Sequence, residues 1–449
     1  MTKWEYNLKL FKVLKGKLLR NDVAKKTLEN SSWLVSDKIF NMILGVFVTG
    51  ITARYFGPEI YGQFNYALAI VSLFTVLSTL GLEILTVKAI VAKEDNEGMI
   101  LCTSFFLRVV GGVFLTVVSC IVMWVLEPNN QYLLVIVLIM SFSMVIRSFE
   151  VIEYWIQAHQ KAKISSVIRI FVSIVTAVLK LLLVYFKGGL ILFSIIYTID
   201  ITIVSIALMI AYFNYREDKK PLIFSFDYAK KILSQSWYLI VSGLMITLYM
   251  RLDQVMLGFM MGTKVELGIY SASARIAEMW YFIPMAVITS FRPVIMNKKQ
   301  NDEIGYLNSL QRLYRIIAWM GILFGILIII LCKPIILILY GNEYLAAAKI
   351  LTISVWAGTF AMLGSARSIW LICEGLQKFA LSYTFGGLIV NAILNYFLIP
   401  SYGALGAAVA TLASQFFANV IVLALFKKTR ISSYMILKSF FPIAIMKRK

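Results

Sequence analysis

Residues 234–293 read SQSWYLIVSGLMITLYMRLDQVMLGFMMGTKVELGIYSASARIAEMWYFIPMAVITSFRP. An apolar run from Trp237 to Met250 meets Arg251 and Asp253. The chain then passes Gly258, Gly262 and Gly268 and resumes an apolar pattern that carries Arg275 and Glu278. Charges inside apolar runs of this length cost free energy, so the fold must compensate each of them. The stretch has an echo: residues 41–66 hold an apolar run, then Arg54, then Gly57-Pro-Glu-Ile-Tyr-Gly62-Gln-Phe-Asn-Tyr66. Gly62 and Gly268 stand 206 residues apart. A second echo, Tyr185-Phe-Lys-Gly188-Gly189 against Tyr402-Gly403-Ala-Leu-Gly406, has an offset of about 215 residues. A chain that repeats itself in this way is expected to be built from two similar halves.

Composition sets the solvent. Of 449 residues, 60% are hydrophobic and 15% charged, and the mean hydropathy is +0.83. Soluble domains are about 45–50% apolar, so the chain reads as an all-α integral membrane protein. Its net charge of +20 then points to the anionic membrane surface rather than nucleic acid. Cys102, Cys120, Cys332 and Cys373 form no CxxC pair, and the one histidine, His159, reads as a loop residue. No metal site, disulfide or cofactor is expected. Walker-A, HExxH and G-x-S-x-G motifs are absent from the sequence, so no enzyme chemistry is expected.

Spanning helices need about 20 apolar residues. Twelve candidate spans follow, at about 32–53, 62–86, 98–125, 132–156, 164–186, 190–213, 234–257, 268–291, 315–333, 346–373, 378–399 and 405–426. Six per half is an even number, so the halves are parallel repeats. The expected architecture is two six-helix lobes around a central cationic cavity. The domains are a basic interfacial segment (1–29), an N-lobe (30–213), a cytoplasmic linker (214–233), a C-lobe (234–427) and a basic cytoplasmic tail (428–449). With the N-terminus inside, the outer loops carry only Arg54, Lys187, Lys264, Lys333 and Lys349 of the 43 basic residues. That bias places both termini in the cytoplasm.

Charges within the spans are the candidate site. Arg147 and Arg275 each precede a glutamate, Glu150 and Glu278, by three residues, a spacing that allows helical ion pairs. Arg108 and Arg169 are expected to reach the cytoplasmic interface. Arg275, Lys180, Arg367 and Arg147 are the candidates for holding a phosphate group. Asp200, Glu278 and Glu150 are the candidate ion-coupling carboxylates, with Asp200 preferred because it has no basic residue within one turn. Arg251, Asp253 and Arg54 lie toward the outer ends of their spans and are gate candidates.

These motifs carry a resemblance. Ala53-Arg-Tyr-Phe-Gly57-Pro-Glu-Ile-Tyr-Gly62, Gly268-Ile-Tyr-Ser-Ala-Ser-Ala-Arg275-Ile-Ala-Glu278, Tyr340-Gly341-Asn-Glu-Tyr344 and Tyr402-Gly403-Ala-Leu-Gly406, in that order, resemble Wzx-type polysaccharide flippases. These belong to the multidrug/oligosaccharidyl-lipid/polysaccharide exporter superfamily. The resemblance implies movement of an undecaprenyl-diphosphate-linked glycan across the bacterial cytoplasmic membrane for O-antigen, capsule or exopolysaccharide assembly. It also implies membrane lipids, a polysaccharide polymerase and a chain-length regulator as partners. The alternatives are a membrane-embedded enzyme of polysaccharide assembly and a multidrug antiporter of the same superfamily.

Overall fold

The structure is a computed structural model that describes residues 22–216 and 221–441, with side chains from Glu29 onward. Most of the basic segment 1–29, residues 217–220 of the linker and the tail beyond Phe441 lie outside the described residues.

The described chain is helical throughout. In order it forms α1 (Asp22–Ser78), α2 (Leu82–Val91), α3 (Glu97–Leu126), α4 (Gln131–Ser141), α5 (Ser143–Ile146), a 3-10 turn (Arg147–Glu150), α6 (Val151–Ala158), α7 (Ala162–Tyr185) and α8 (Leu190–Tyr215). Then come α9 (Phe226–Met260), α10 (Val265–Met279), α11 (Phe282–Asn301), α12 (Glu303–Leu339), α13 (Ala347–Cys373), α14 (Lys378–Phe416), a π turn (Phe417–Ile421), α15 (Val422–Leu425) and α16 (Arg430–Ser439). No strand occurs among the described residues.

Ten helical stretches are long and apolar enough to cross a membrane. Two of the ten are each a pair of helices joined at a non-helical glycine, Gly57 with φ 71° and Gly403 with φ 53°. Divided there, the ten stretches give the twelve passes that the hydropathy predicts. The outward-facing side chains agree with a lipid environment. Phe114 (65% exposed) and Ile330 (68%) stand among many large apolar residues on the helix faces, where water would be a costly neighbour.

Two compact units organise the helices, and they do not follow the midpoint of the sequence. One holds the described residues up to Val48, Leu77–Val118 and Ile139–Leu239. Its core joins Leu82, Ile100, Tyr154, Trp155, Leu208, Tyr228 and Ile232. The predicted linker is therefore partly structural: from Phe226 it is helix α9, and Tyr228 and Ile232 are core residues. The second unit holds Thr49–Val76, Ser119–Leu138 and the described residues from Ile240 on. Its core gathers Trp280, Tyr306, Tyr314, Ile317, Leu363, Trp370 and Leu423 around α12 and α13. Short segments of the first sequence half thus fold with the described chain from Ile240 on.

Candidate functional site

Three groups of polar residues stand out. The first lies in the second unit, where the repeated glycine motifs meet. A Cβ on Gly62 would lie 1.9 Å from the Lys264 carbonyl oxygen, and one on Gly268 would lie 2.0 Å from that of Pro58. Pro58 precedes Lys264 by the same 206 residues that separate Gly62 from Gly268, so each repeat docks its glycine on the equivalent carbonyl of the other. Only residues without a Cβ allow backbones this close. Lys264 locks the contact. Its Nζ donates to Glu127 at 2.5 Å and to the Gly258 carbonyl at 2.6 Å, and lies 5.0 Å from the centre of the Tyr66 ring. Its backbone N–H donates to Glu59 at 2.8 Å. Arg54 donates to the carbonyls of Leu337 (2.7 Å) and Ile338 (3.0 Å). These belong to the last turn of α12, whose unsatisfied carbonyls attract a cation. Read from sequence, Lys264 is one outer-loop cation among five; it is 7% exposed.

The second group lies in the first unit. Glu150 accepts from Arg147 at 2.7 Å and from Arg108 at 3.2 Å, while Arg108 also donates to Tyr154 at 3.0 Å. Arg108 is 1% exposed, which corrects the expectation that it reaches the interface. Arg169 is paired as well, with Glu153 at 3.3 Å. A carboxylate clamped by two guanidiniums has its acceptor positions taken, and its two partners have little left to offer a ligand. This argues against Glu150 as an exchanging carboxylate and against Arg147 as a phosphate ligand. Asp200 accepts from Thr176 at 2.9 Å, and the Lys180 ammonium lies 5.7 Å from the Phe193 ring centre.

The third group surrounds a cavity of about 520 Å³ within the second unit, walled by α9, α10, α13, α14 and the π turn. Asp253 stands in its wall, 3% exposed. Its bonds come from the Tyr270 hydroxyl (2.7 Å), from Asn395 Nδ2 (2.7 Å) and from Thr411. Arg251, the other gate candidate on this helix, makes no pair with Asp253 and donates to Gln254 at 3.4 Å. Asn395 Nδ2 also donates to Asn391 Oδ1 at 3.0 Å, while Asn395 Oδ1 is buried without a partner. Sequence spacing could not find this cluster, because Asn395 and Thr411 lie 142 and 158 residues from Asp253.

Glu278 and Arg367 also line the cavity. Arg367 is 7% exposed. Its Nη1 makes one long hydrogen bond, 3.5 Å to the Ala418 carbonyl in the π turn, and its guanidinium lies 4.6 Å from the Tyr383 ring centre. Arg275, three residues before Glu278 on α10, is exposed. No ion pair joins Arg275 to Glu278 among the described residues, contrary to the expectation from their spacing.

Among solved structures, the fold is similar to that of the lipid II flippase MurJ in an inward closed conformation (TM-score 0.70, 16% identity, 93% of each chain). It is similar also to an inward-facing multidrug resistance MATE transporter of the MOP superfamily (TM-score 0.71, 14% identity, 90% of this chain and 96% of that one). The architecture is therefore the two-lobed helical membrane fold of those proteins. The chain belongs to the polysaccharide biosynthesis protein family, whose profile matches residues 27–297. Similar relatives include "Probable flippase AglR" of Haloferax volcanii, 29% identical over 38% of this chain. Another is the capsular polysaccharide biosynthesis protein CapF of Staphylococcus aureus, 23% identical over 87% of this chain and 97% of its own length. The chain spans 37% of the length of AglR and 42% of that of a second Haloferax volcanii flippase.

Proposed function

We propose that this protein is a flippase that carries undecaprenyl-diphosphate-linked oligosaccharide repeat units across the bacterial cytoplasmic membrane by alternating access. Both termini face the cytoplasm, and the Gly62–Lys264 junction lies at the outer face. Membership of the polysaccharide biosynthesis family supports the pathway, and the flippase names of relatives support the cargo. The observation that carries the mechanism is the reciprocal junction. Two copies of one motif close against each other through glycines and carbonyls, with Lys264 as the ionic lock. Such a contact can part and re-form as a unit, as a rocking pair of repeats requires. Arg275 is exposed and free of any ion pair among the described residues, which keeps it available as a cation for the diphosphate.

Asp253 is the coupling carboxylate in this reading. It is buried among neutral oxygen and amide groups. A charge there is expensive unless a small cation shares the site. Coupling needs an ion whose affinity differs between the two states. Asp200 and Glu278 remain the alternative carboxylates. The product would pass to a polymerase and a chain-length regulator on the outer side.

The test is a proteoliposome assay with a fluorescent polyprenyl-diphosphate glycan. The expected outcome is leaflet transfer without bond formation, reduced at least tenfold by Asp253→Asn and no longer responsive to an ion gradient. Sugar transfer without translocation, or export of organic cations instead of the glycan, would overturn the reading.

A further inference from the structure

The guanidinium of Arg367 is a buried cation that no carboxylate among the described residues neutralises. It sits on α13 with 7% of its surface exposed, and arginine does not give up its proton in proteins. No carboxylate lies within ion-pair distance of it among the described residues. The carboxylates that share its cavity are Glu278 and Asp253, and Asp253 already takes three neutral hydrogen bonds. Of the donors in the arginine fork, Nη1 has only the 3.5 Å bond to the Ala418 carbonyl, and Nε is buried with no partner at all.

Its surroundings are built to keep it in place. The Tyr383 ring supports one side of the guanidinium, a cation–π contact that leaves the in-plane donors free. The Ala418 carbonyl lies in the π turn Phe417–Ile421 that interrupts the run from α14 to α15. Turns of this kind recur at functional sites because they redirect backbone groups that a regular helix would consume. Asn419 on the same turn, Gln415, Ser365 and Ser368 line the cavity beside the arginine and supply neutral polar groups. The cavity volume, about 520 Å³, lies within the range of small-molecule sites.

We propose that this cavity inside the second unit is a site for a phosphate-type oxyanion, held by the open edge of the Arg367 guanidinium. A planar forked donor with a free edge matches two oxygens of one phosphate, which a point charge does not. Arg275 is not among the residues that line it. Two sources share the chemistry: the diphosphate of the carried lipid and free inorganic phosphate or pyrophosphate. Only the first rests on the flippase reading.

Isothermal titration of the purified full-length protein with inorganic phosphate, pyrophosphate and a short polyprenyl diphosphate tests the proposal. The wild type binds at least one of these oxyanions. Arg367→Gln weakens that binding at least tenfold, and Arg367→Lys restores part of it. Ser368→Leu, which fills the cavity and leaves the charge in place, also weakens it. Equal affinity for pyrophosphate and polyprenyl diphosphate assigns the site to free anions. A strong preference for the polyprenyl compound, lost in Arg367→Gln, assigns it to the lipid headgroup. Absence of binding in the wild type, or binding unchanged in a monodisperse Arg367→Gln protein, overturns the proposal. Either result would leave Glu278 as the internal counter-charge. Binding is read without transport, so a protein that binds through Arg367 but moves no glycan sinks the flippase reading and not this one.

Discussion

Two regions each place an arginine three residues before a glutamate, and only one makes the pair. Arg147 and Glu150 are bonded at 2.7 Å; Arg275 and Glu278 are not. Arg147–Glu150 is a 3-10 turn, in which residues i and i+3 eclipse. Arg275 and Glu278 lie on the regular helix α10, where the same spacing also allows a pair. The surroundings differ. In the first unit Arg108 joins the pair and closes a charge cluster inside the protein. In the second unit Glu278 turns to a cavity that also holds an unpaired Arg367. One region has balanced its own charges, as a structural element does. The other has left a cation and carboxylates uncombined around open space, as a site does.

The sharpest way to break this contrast is Glu150→Gln. It strips the carboxylate from two guanidiniums, one of them buried. Removing one partner of a buried pair costs about 3–5 kcal/mol. A large fall in thermal stability of the detergent-purified protein is expected. A stable variant with normal transport would mean that Glu150 is no structural keystone and that the two regions do not differ in kind.

The junction at Gly62 and Gly268 is the next test, because Lys264 and Glu127 there form a third charge arrangement, closed in this state. Gly62→Ala places a methyl where the Lys264 carbonyl stands. Overpacking of this sort costs about 1–3 kcal/mol, charged against the closed state alone if the contact parts during transport. A population shift of roughly 5- to 150-fold toward the separated arrangement follows. It would be read by the labelling rate of a cysteine placed at Thr263. An equal loss of stability with no change in labelling would mark the junction as permanent packing. Lys264→Met should move labelling the same way, by less, because it removes the lock and leaves the close-packed backbones.

Much of the fold was legible because it depends on local pattern. Hydropathy alone delivers twelve passes, and the glycine motifs announce the repeat at its offset of 206 residues, the same offset that relates Pro58 to Lys264. What the pattern could not supply is partnership across long separations. Asp253 reads as a neighbour of Arg251, yet its hydrogen bonds come from α10 and α14. Lys264 reads as a loop cation, and its burial follows from Tyr66 and Glu127 of the other repeat. The unit boundaries at Val48 and Leu77 fall inside an apolar helical run, where composition does not change and no linker signal exists.

The smallest effect is the most informative about Arg367, because its sign should change. In protein without added anion, Arg367→Leu removes a buried charge that no carboxylate among the described residues answers. Substituting apolar groups for buried ions is commonly neutral or stabilising. A gain of about 1 kcal/mol, read as a higher midpoint of thermal unfolding, is therefore expected. Pyrophosphate at 100 times its dissociation constant should then stabilise the wild type by about 2.7 kcal/mol through mass action, leaving the variant unmoved. The order of the two midpoints reverses. If Arg367→Leu is instead destabilised by several kcal/mol without anion, as Glu150→Gln is expected to be, Arg367 is held by Glu278 and the second region is closed in the same way as the first.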